Sequence, residues 1–431
     1  MLTIALISEH ASPLAMAGSI DSGGQNVYVA NVARRLAAMG HRVDVFTRQD
    51  DPTQPLILPW LDGIRVIHVP AGPPTALAKE DLLPHMEPFG RFLLRFMKRQ
   101  SPSYDVIHAN FFMSGLAALQ PVRALGLPLV VTFHALDRVR RLHQGAADRF
   151  PEIRAEIESQ LVREADCLIA ECPQDRQDLI ELYGADPSRI DIVPCGFDVT
   201  EFGPVDKAAA RRALGWAPHA FSVLQLGRMV PRKGVDNVIR AVGVLRRRHA
   251  VDARLYVVGG NSVQPDERAT PELGRLRGIA AEEGVSDLVT FCGRRDHDQL
   301  RMFYGAADVF VSTPWYEPFG ITPVEAMACA CPVIGADVGG IRYTVQDRRT
   351  GFLVPPRDAG TLAERLAWLA ADPALRRRLG RSGRQRARRL FTWRGVASDL
   401  ARVYERVAVS EPARIHVPAG RAIVPALAAV E

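Results

Sequence analysis

The sequence has few cysteines, and their spacing excludes the common roles of clustered thiols. Six cysteines occur among 431 residues, and no two form a CxxC pair. A disulfide framework or a zinc site needs thiols at closer and more regular spacing. Because most of the six lie in apolar runs, we predict buried free thiols in a reducing, cytoplasmic compartment. They are Cys167, Cys172, Cys195, Cys292, Cys329 and Cys331.

The chain also lacks a long apolar run. A membrane-spanning helix needs roughly 18 apolar residues in succession, and no stretch approaches that length. The apolar start, residues 1–7, has no basic segment and is followed by Glu9 and His10. This pattern predicts a buried strand and not a signal peptide.

Basic residues are in slight excess, and the excess lies late in the chain. Lys and Arg number 54 against 48 Asp and Glu, which gives a net charge of +6. A late arginine run is typical of a solvated helix face, so we expect no nucleic-acid partner. Peripheral contact with an anionic membrane and assembly into a homo-oligomer stay open. The run comprises Arg376, Arg377, Arg378, Arg381, Arg384, Arg386, Arg388 and Arg389.

Strand and helix patterns alternate along the chain and predict an α/β protein. A length of 431 residues with 47% hydrophobic content suits two to three domains with large cores. The alternation restarts after a segment near residues 201–204, which we interpret as a linker. We therefore predict two Rossmann-like, doubly wound domains, residues 1–203 and 204–390. The tail 411–431, rich in Pro and Ala, is predicted to be poorly ordered.

A glycine loop follows the first predicted strand. Gly23 and Gly24 precede a helix that is predicted to open at Gln25. Strand, glycine loop and helix in this order place a phosphate at the helix N-terminus, where free N–H groups point at it. The dinucleotide fingerprint GxGxxG is absent, which argues against a dehydrogenase. A Gly-Gly pair by itself is also consistent with a simple turn.

The stretch 312–328 carries two carboxylates, Glu317 and Glu325, with seven residues between them. A buried strand is predicted before it, and a helix is predicted from Ile321. Gly320 allows a ligand to approach the backbone closely, and the first N–H groups of the helix can bind an anion. Backbone amides can bind phosphate groups, and carboxylates can bind sugar hydroxyls. Their combination in one stretch indicates a site for a nucleotide sugar. The alternative is a strand–loop–helix unit with two solvated glutamates.

Four short motifs follow one another in this region: Glu317-Pro318-Phe319-Gly320, Glu325-Ala326-Met327-Ala328, Pro332-Val333-Ile334 and Gly339-Gly340. Together they resemble the donor site of retaining glycosyltransferases of family four, which have the GT-B fold. The resemblance implies that Glu317 contacts the donor sugar and that Glu325 holds the ribose. It also implies that the last helix, 391–410, crosses back to the first domain.

A basic loop and a histidine complete the implied donor site. The segment 227–234 resembles the family's diphosphate clamp, and a guanidinium fork with an ammonium group suits phosphate. Thr132-Phe133-His134 resembles the motif whose histidine contacts the donor sugar, although a lone histidine is otherwise more often a structural hydrogen bonder. The implied catalytic residues are His134, Arg228, Lys233 and Glu317. Donor binding is further assigned to Gly23, Gly24, Arg294, Phe319, Gly320, Ile321 and Glu325.

The loop at 21–29 resembles that of the sucrose-phosphate synthase and inositol-phosphate glycosyltransferase branches of the family. There the glycines face the distal phosphate of the donor and the residues around them face the acceptor. Phe111 and Ala135 stand where the inositol-phosphate branch has a tyrosine and a threonine, so two phosphate-binding hydroxyls are absent. The acceptor is therefore left open between a phosphorylated and a neutral polyol. Its implied ligands are Asn26, Lys79 and Arg154.

Asp296-His297-Asp298 imitates the DxD motif that holds a metal in other glycosyltransferases. It precedes a predicted helix, so we interpret it as an N-cap with a first-turn acid and expect neither metal nor cofactor. The sequence thus predicts retaining transfer of a hexose from a nucleotide diphosphate sugar, with a UDP-sugar favoured, to a small polar or phosphorylated polyol or sugar. A nucleotide-sugar epimerase and a non-catalytic nucleotide-sugar sensor are the alternatives.

Overall fold

The computed structural model describes residues 1–15 and 23–409. The part of the predicted acceptor loop before Gly23, residue 410 and the predicted disordered tail 411–431 lie outside the described residues. Within the described ranges the strands form two sheets, and the first sheet ends before the predicted linker at 201–204 while the second begins after it. The predicted α/β class and the doubly wound design are therefore confirmed.

The first domain contains an eight-stranded sheet. Its strands are β1 (Thr3–Ile7), β2 (Arg42–Arg48), β3 (Ile57–Leu61), β4 (Ile64–Val69), β5 (Val106–Asn110), β6 (Leu129–Thr132), β7 (Cys167–Ala170) and β8 (Ile190–Ile192). In the sheet they lie in the order β3-β4-β2-β1-β5-β6-β7-β8, and only β3 and β4 pair antiparallel. The edge strand β3 was not predicted from the sequence. It is joined to β4 by Asp62 and Gly63, a turn in which the positive φ of 74° at Gly63 favours glycine.

Six helices accompany this sheet: α1 (Gly24–Ala38), α2 (Met86–Met97), α3 (Phe112–Leu125), α4 (Asp137–Gln144), α5 (Arg154–Glu164) and α6 (Pro173–Tyr183). The central strand β1 is buried along its whole length, and its side chains alternate between two hydrophobic clusters. Ile4 and Leu6 pack in the cluster that contains α1, whereas Ala5 and Ile7 pack in the cluster that contains α2 and α3. Helices on both faces explain why this strand is apolar throughout.

The second domain is a six-stranded parallel sheet. Its strands are β9 (Ser222–Leu226), β10 (Arg254–Val258), β11 (Val289–Gly293), β12 (Val309–Ser312), β13 (Val333–Ala336) and β14 (Gly351–Val354). The order β11-β10-β9-β12-β13-β14 reverses direction between β9 and β12, the type of point at which open α/β sheets bind ligands. The helices are α7 (Lys207–Leu214), α8 (Val235–His249), α9 (Glu272–Glu282), α10 (Leu300–Ala306), α11 (Ile321–Ala328), α12 (Gly339–Thr344), α13 (Ala359–Ala371) and α14 (Pro373–Leu390).

The chain passes between the domains twice, and the two passages are bonded to each other. The Phe197 N–H donates to the Phe391 carbonyl at 2.8 Å, and the Trp393 N–H donates to the Phe197 carbonyl at 3.3 Å. From Trp393 the last helix, α15 (Trp393–Val409), packs against α1 of the first domain. The Tyr404 hydroxyl on this helix lies 2.6 Å from His108 Nδ1, which is on β5.

The six cysteines and the late arginine run have the environments that the sequence predicted. All six cysteines are free, and five of them are buried. The arginine run lies on α14, where Arg377, Arg378, Arg381, Arg388 and Arg389 are exposed. Within the described parts of the chain, every helix is too short or too polar to cross a membrane.

The interdomain crossing predicts a large effect for a small substitution. A Cβ atom at Gly196 would lie 2.7 Å from the backbone nitrogen of Trp393, which cannot move without disturbing α15. We therefore expect Gly196→Ala to lower the midpoint of thermal unfolding by about 3 to 10 °C, the scale for overpacking. The matched control is Gly278→Ala in α9, where a Cβ meets no atom within 4 Å. Equal midpoints for the two variants would contradict the expected clash.

Candidate active site

The glycine loop of the first domain meets α11 of the second domain across the cleft. Helix α1 begins at Gly24, and the N–H of its N-cap, Gly23, donates to the Asn26 side chain at 3.0 Å. A Cβ atom at Gly24 would lie 3.4 Å from Ile321 Cδ1, which is at the first residue of α11. Two helix N-termini, one from each domain, therefore approach the same point. Their free N–H groups make this point suitable for an anion.

The loop before α11 is fixed by close backbone contacts. Gly320, its N-cap, has a φ of 89°, a conformation that glycine adopts readily. Phe319 is 2% exposed, and its ring packs edge-on against Phe391, with 5.7 Å between the ring centroids. The Gly340 N–H donates to the Glu317 carbonyl at 3.0 Å. The Gly339-Gly340 motif thus lies directly against the loop that carries the first predicted carboxylate.

Lys233 and Glu317 form an ion pair inside the cleft. Lys233 Nζ contacts Glu317 Oε2, and the two side chains are 20% and 14% exposed. Burial lowers the pKa of Lys233 to about 8, against the opposing effect of Glu317. Burial would raise the pKa of Glu317, but Lys233, Arg232 and Arg228 outweigh it and lower that pKa. Glu317 is consequently a weak base that can accept hydrogen bonds from hydroxyls.

The basic loop is bonded to the loop that carries Glu317. The Thr313 hydroxyl donates to the Gly234 carbonyl at 3.0 Å, and the Trp315 N–H donates to the Arg232 carbonyl at 2.9 Å. The Arg232 guanidinium lies 5.2 Å from the ring centroid of Tyr316, and Arg228 is exposed. The three cations of this loop therefore converge near Glu317, where their summed charge favours an anionic ligand. Arg294 follows β11 in the chain and is partly buried.

Glu325 lies within α11 and is 3% exposed. The Tyr304 hydroxyl from α10 donates to Oε2 at 3.0 Å, and His297 Nε2 lies 3.1 Å from Oε1. Each carboxylate oxygen has two lone pairs, so both can accept a further hydrogen bond. The arrangement suits a pair of neighbouring hydroxyls.

His134 lies at the carboxyl end of β6 and is held from both ring nitrogens. Nδ1 is 2.8 Å from Glu171 Oε1, and Nε2 is 3.1 Å from Asn110 Oδ1. The Tyr28 ring packs edge-on against the imidazole, with 4.9 Å between the centroids. His134 has a φ of 57° and Phe111, at the end of the neighbouring strand β5, has a φ of 86°. Such conformations cost roughly 1–3 kcal/mol each and occur preferentially at functional sites.

A cavity of about 360 Å³ separates the domains beside this histidine. Its first wall comes from α4 and α6 and includes Leu136 and Asp175, and its second wall includes Tyr316, Glu317 and Gly339. Burial, with the nearby Glu171 carboxylate, raises the pKa of Asp175 to about 8. Apolar and hydrogen-bonding groups are thus mixed along the cleft, as in sites for small polar molecules.

The implied acceptor residues do not form one open cluster. Asn26 is 5% exposed, and both polar atoms of its side chain are bonded: Oδ1 accepts from the Gly23 N–H, and Nδ2 donates to the Ser12 carbonyl at 3.0 Å. Lys79 begins a short 3₁₀ turn before α2 and is partly exposed. Arg154 begins α5 and has no exposed surface.

Arg154 is enclosed within the first domain. Its Nε donates to Glu158 Oε1 at 2.7 Å, and Nη2 donates to the Ala135 carbonyl. The guanidinium carbon lies within 4.8 Å of three ring centroids, those of Phe111, Phe112 and Phe150. Only Nη1 has no hydrogen-bond partner. In this conformation the Arg154 side chain makes its contacts with groups inside the first domain, and the ring of Phe111 occupies part of the space around it.

The Asp296-His297-Asp298 triplet caps a helical turn, as the sequence predicted. The Asp296 side chain accepts from the backbone of the turn at His297–Gln299, and Gln299 reaches back to the Asp296 N–H. Residues 1–15 and 23–409 contain no group of three or more His, Cys, Asp or Glu side chains placed to hold a metal ion.

Three residues of the site were missed by the sequence reasoning. Glu171 directly follows β7, and the carboxyl ends of parallel strands are where ligands bind, so its position was a usable signal. Tyr304 and His297 reach Glu325 from another part of the chain, and their sequence neighbourhood gives no indication of that contact.

The enclosure of Arg154 predicts its effect on stability. Arg154→Met would leave the buried Glu158 carboxylate without its cation, so we expect a loss of about 3–5 kcal/mol in the free energy of unfolding. Arg154→Met combined with Glu158→Gln should recover most of that loss. Arg163→Met, which removes an exposed arginine of the same helix, is the control. Urea denaturation measures all four proteins, and a stable single variant would contradict the buried pairing.

Sequence comparison with known proteins finds relatives of both domains. Residues 22–201 match the family model described as Glycosyltransferase Family 4, and residues 206–386 match that of Glycosyl transferases group 1. The D-inositol 3-phosphate glycosyltransferase of Stackebrandtia nassauensis is 38% identical over 406 residues, which cover 93% of this chain and 90% of the relative. A Catenulispora acidiphila relative with the same enzyme name is 37% identical and covers 94% of both chains.

Solved structures give the same result for the fold. Sucrose-phosphate synthase from Thermosynechococcus elongatus superposes with a TM-score of 0.85 at 34% identity, covering 94% of this chain and 99% of that one. HepE of Anabaena in complex with UDP-glucose superposes with a TM-score of 0.71 at 19% identity, covering 94% and 100%, and supports the fold alone. With two matched domains and close relatives along nearly its whole length, the chain belongs to glycosyltransferase family four and is a glycosyltransferase with the GT-B fold.

Proposed function

We propose that the enzyme transfers a hexose from a UDP-sugar to a hydroxyl of a small polyol, with retention at the anomeric carbon and without a metal ion. The observation that carries the proposal is that the start of α11 faces the glycine loop of the opposite domain at Gly24, while the loop before α11 carries Glu317 in an ion pair with Lys233. Relatives named D-inositol 3-phosphate glycosyltransferase support the same acceptor class.

In the proposed reaction, negative charge develops on the departing diphosphate. Arg228, Lys233 and the backbone amides near Gly24 and Gly320 stabilise that charge, and Lys233 is already held in place by its ion pair with Glu317 before the reaction begins. The acceptor oxygen bonds to the anomeric carbon as the bond from that carbon to the phosphate oxygen breaks. The acceptor proton passes to the departing phosphate oxygen.

Glu317 has a binding role in this scheme. Its carboxylate is ion-paired with Lys233 and its pKa is lowered, so it is suited to accept hydrogen bonds from sugar hydroxyls and poorly suited to attack the anomeric carbon. His134, fixed by Glu171 and Asn110, lies on the opposite wall and contacts the sugar from the first domain. Closure of the two domains around the donor excludes water and limits hydrolysis.

The first test measures the phosphate clamp. Arg228→Met and Lys233→Met should each slow transfer by about 10²-fold or more, the scale for losing a stabiliser of developing charge. Arg248→Met, an exposed arginine at the end of α8, is the control and should keep the wild-type rate. The assay is run with and without excess chelator. Wild-type rates in both clamp variants would overturn the assigned phosphate site, and a loss that only added metal reverses would overturn metal independence.

We further propose that the acceptor is a polyol phosphate and that Lys79 binds its phosphate group. The enclosure of Arg154 and the absence of hydroxyls at Phe111 and Ala135 make this contact weaker than a full phosphate pocket, whereas the names of the relatives favour a phosphate.

Matched acceptors decide this point. With inositol 3-phosphate and inositol, we expect kcat/KM to favour the phosphate about tenfold, and Lys79→Met to abolish that preference. Lys98→Met, an exposed lysine at the end of α2, should leave the preference intact. Equal kcat/KM for the two acceptors, unchanged by Lys79→Met, would identify a neutral polyol instead.

A further inference from the structure

A histidine connects the second carboxylate of the donor site to the interdomain linker. His297 Nε2 lies 3.1 Å from Glu325 Oε1, and Nδ1 lies 3.1 Å from Glu201 Oε2. Glu201 belongs to the segment between the two domains, and Glu325 lies inside α11. One imidazole therefore bridges two carboxylates from parts of the chain more than a hundred residues apart.

The geometry requires both ring nitrogens to donate. Carboxylate oxygens only accept hydrogen bonds, and a neutral imidazole has a single N–H. The ring satisfies both contacts only as the imidazolium cation. Burial by itself lowers the pKa of His297, but hydrogen bonds and charge attraction from Glu201 and Glu325 outweigh burial and raise it to about 10.

The surroundings keep this cation in place. The Phe202 ring packs edge-on against the imidazole, with 5.0 Å between the centroids, and Tyr304 holds the other oxygen of Glu325. Arg301 donates to the carbonyls of Gly203 and Pro204 on the same linker. On its own turn His297 is flanked by Asp296 and Asp298, which are exposed. The imidazole thus lies between the carboxylates of the linker and the donor site.

We propose that His297 is a positioning residue for the donor nucleotide: as an imidazolium, it keeps Glu325 oriented toward the ribose hydroxyls and fastens it to the linker through Glu201. The inference rests on the proposed function, in which Glu325 binds the ribose. It adds a residue that acts through Glu325 and does not itself touch the donor.

The pH range of this arrangement follows from the direction of the shift. The pKa of His297 in the folded protein exceeds the ordinary value of about 6.5. The stabilisation that the charged His297 gives to the folded protein is therefore fully present below pH ~6.5 and is lost as the pH rises through about 10. Deprotonation removes one of the two N–H donors of the ring, so one of the two carboxylates loses its hydrogen bond and Glu325 is no longer tied to the linker.

The test compares the affinities of UDP and 2′,3′-dideoxy-UDP by calorimetry between pH 6 and 8.5. Both ligands carry the same phosphates, so the ratio of their affinities isolates the contribution of the ribose hydroxyls to binding. We expect wild type to prefer UDP about tenfold at every pH in this range, and His297→Gln to lose most of that preference because Glu325 is no longer held toward the ribose. His249→Gln, which removes an exposed histidine at the end of α8, should behave as wild type.

A second measurement reads the charge directly. In the ¹H–¹⁵N spectrum of the imidazole groups, both nitrogens of His297 should be protonated at pH 8, and Glu201→Gln should lower the pKa at which they lose a proton. A neutral His297 at pH 8, or a His297→Gln variant with an unchanged, pH-independent preference, would overturn the inference. Equal affinities of wild type for both ligands would remove the ribose role of Glu325 and the inference with it. The proposed function is tested separately, by the rate of transfer in the Arg228→Met and Lys233→Met variants. That rate does not bear on the role of His297.

Discussion

The site depends on how the chain joins its two domains. The hydrogen bonds of Phe197 with Phe391 and Trp393 hold the two passages side by side, and α15 then packs on α1. Burial lowers the pKa of His108 to about 3, so this histidine is neutral where it meets Tyr404 from α15. This connection contributes to the relative position of the two sheets, and with it to the approach of the two glycine-rich helix starts.

Several buried charges in the described part of the chain are paired, and the pairs have different consequences. Lys233 with Glu317 places a cation and a hydrogen-bond acceptor at the point where donor phosphate and sugar are expected. Arg154 with Glu158 is instead enclosed within the first domain, so this cation is not exposed to the cleft. A buried charge is costly without a partner, so removal of either member of a pair is expected to destabilise the fold.

The glycine loop, the basic loop and the paired glutamates were recognisable in the sequence because each is a local pattern. A glycine at 320 and a helix start at Ile321 are adjacent in the chain, so the expected anion site follows from a short stretch. The edge strand β3 was missed although Asp62-Gly63 between apolar runs is a hairpin signal.

By itself the sequence determined the α/β class, the two domains, the strand–loop–helix units that offer backbone amides to an anion, and the capping role of Asp296. These features depend on periodicity and on residues within a few positions of one another. Only the tertiary structure decided that Arg154 is enclosed by three aromatic rings, that Glu171 fixes His134, and that His297 joins Glu201 to Glu325. Those contacts join residues that are far apart in the chain or on different elements, and their geometry is set by how helices and linkers pack, which no local pattern encodes.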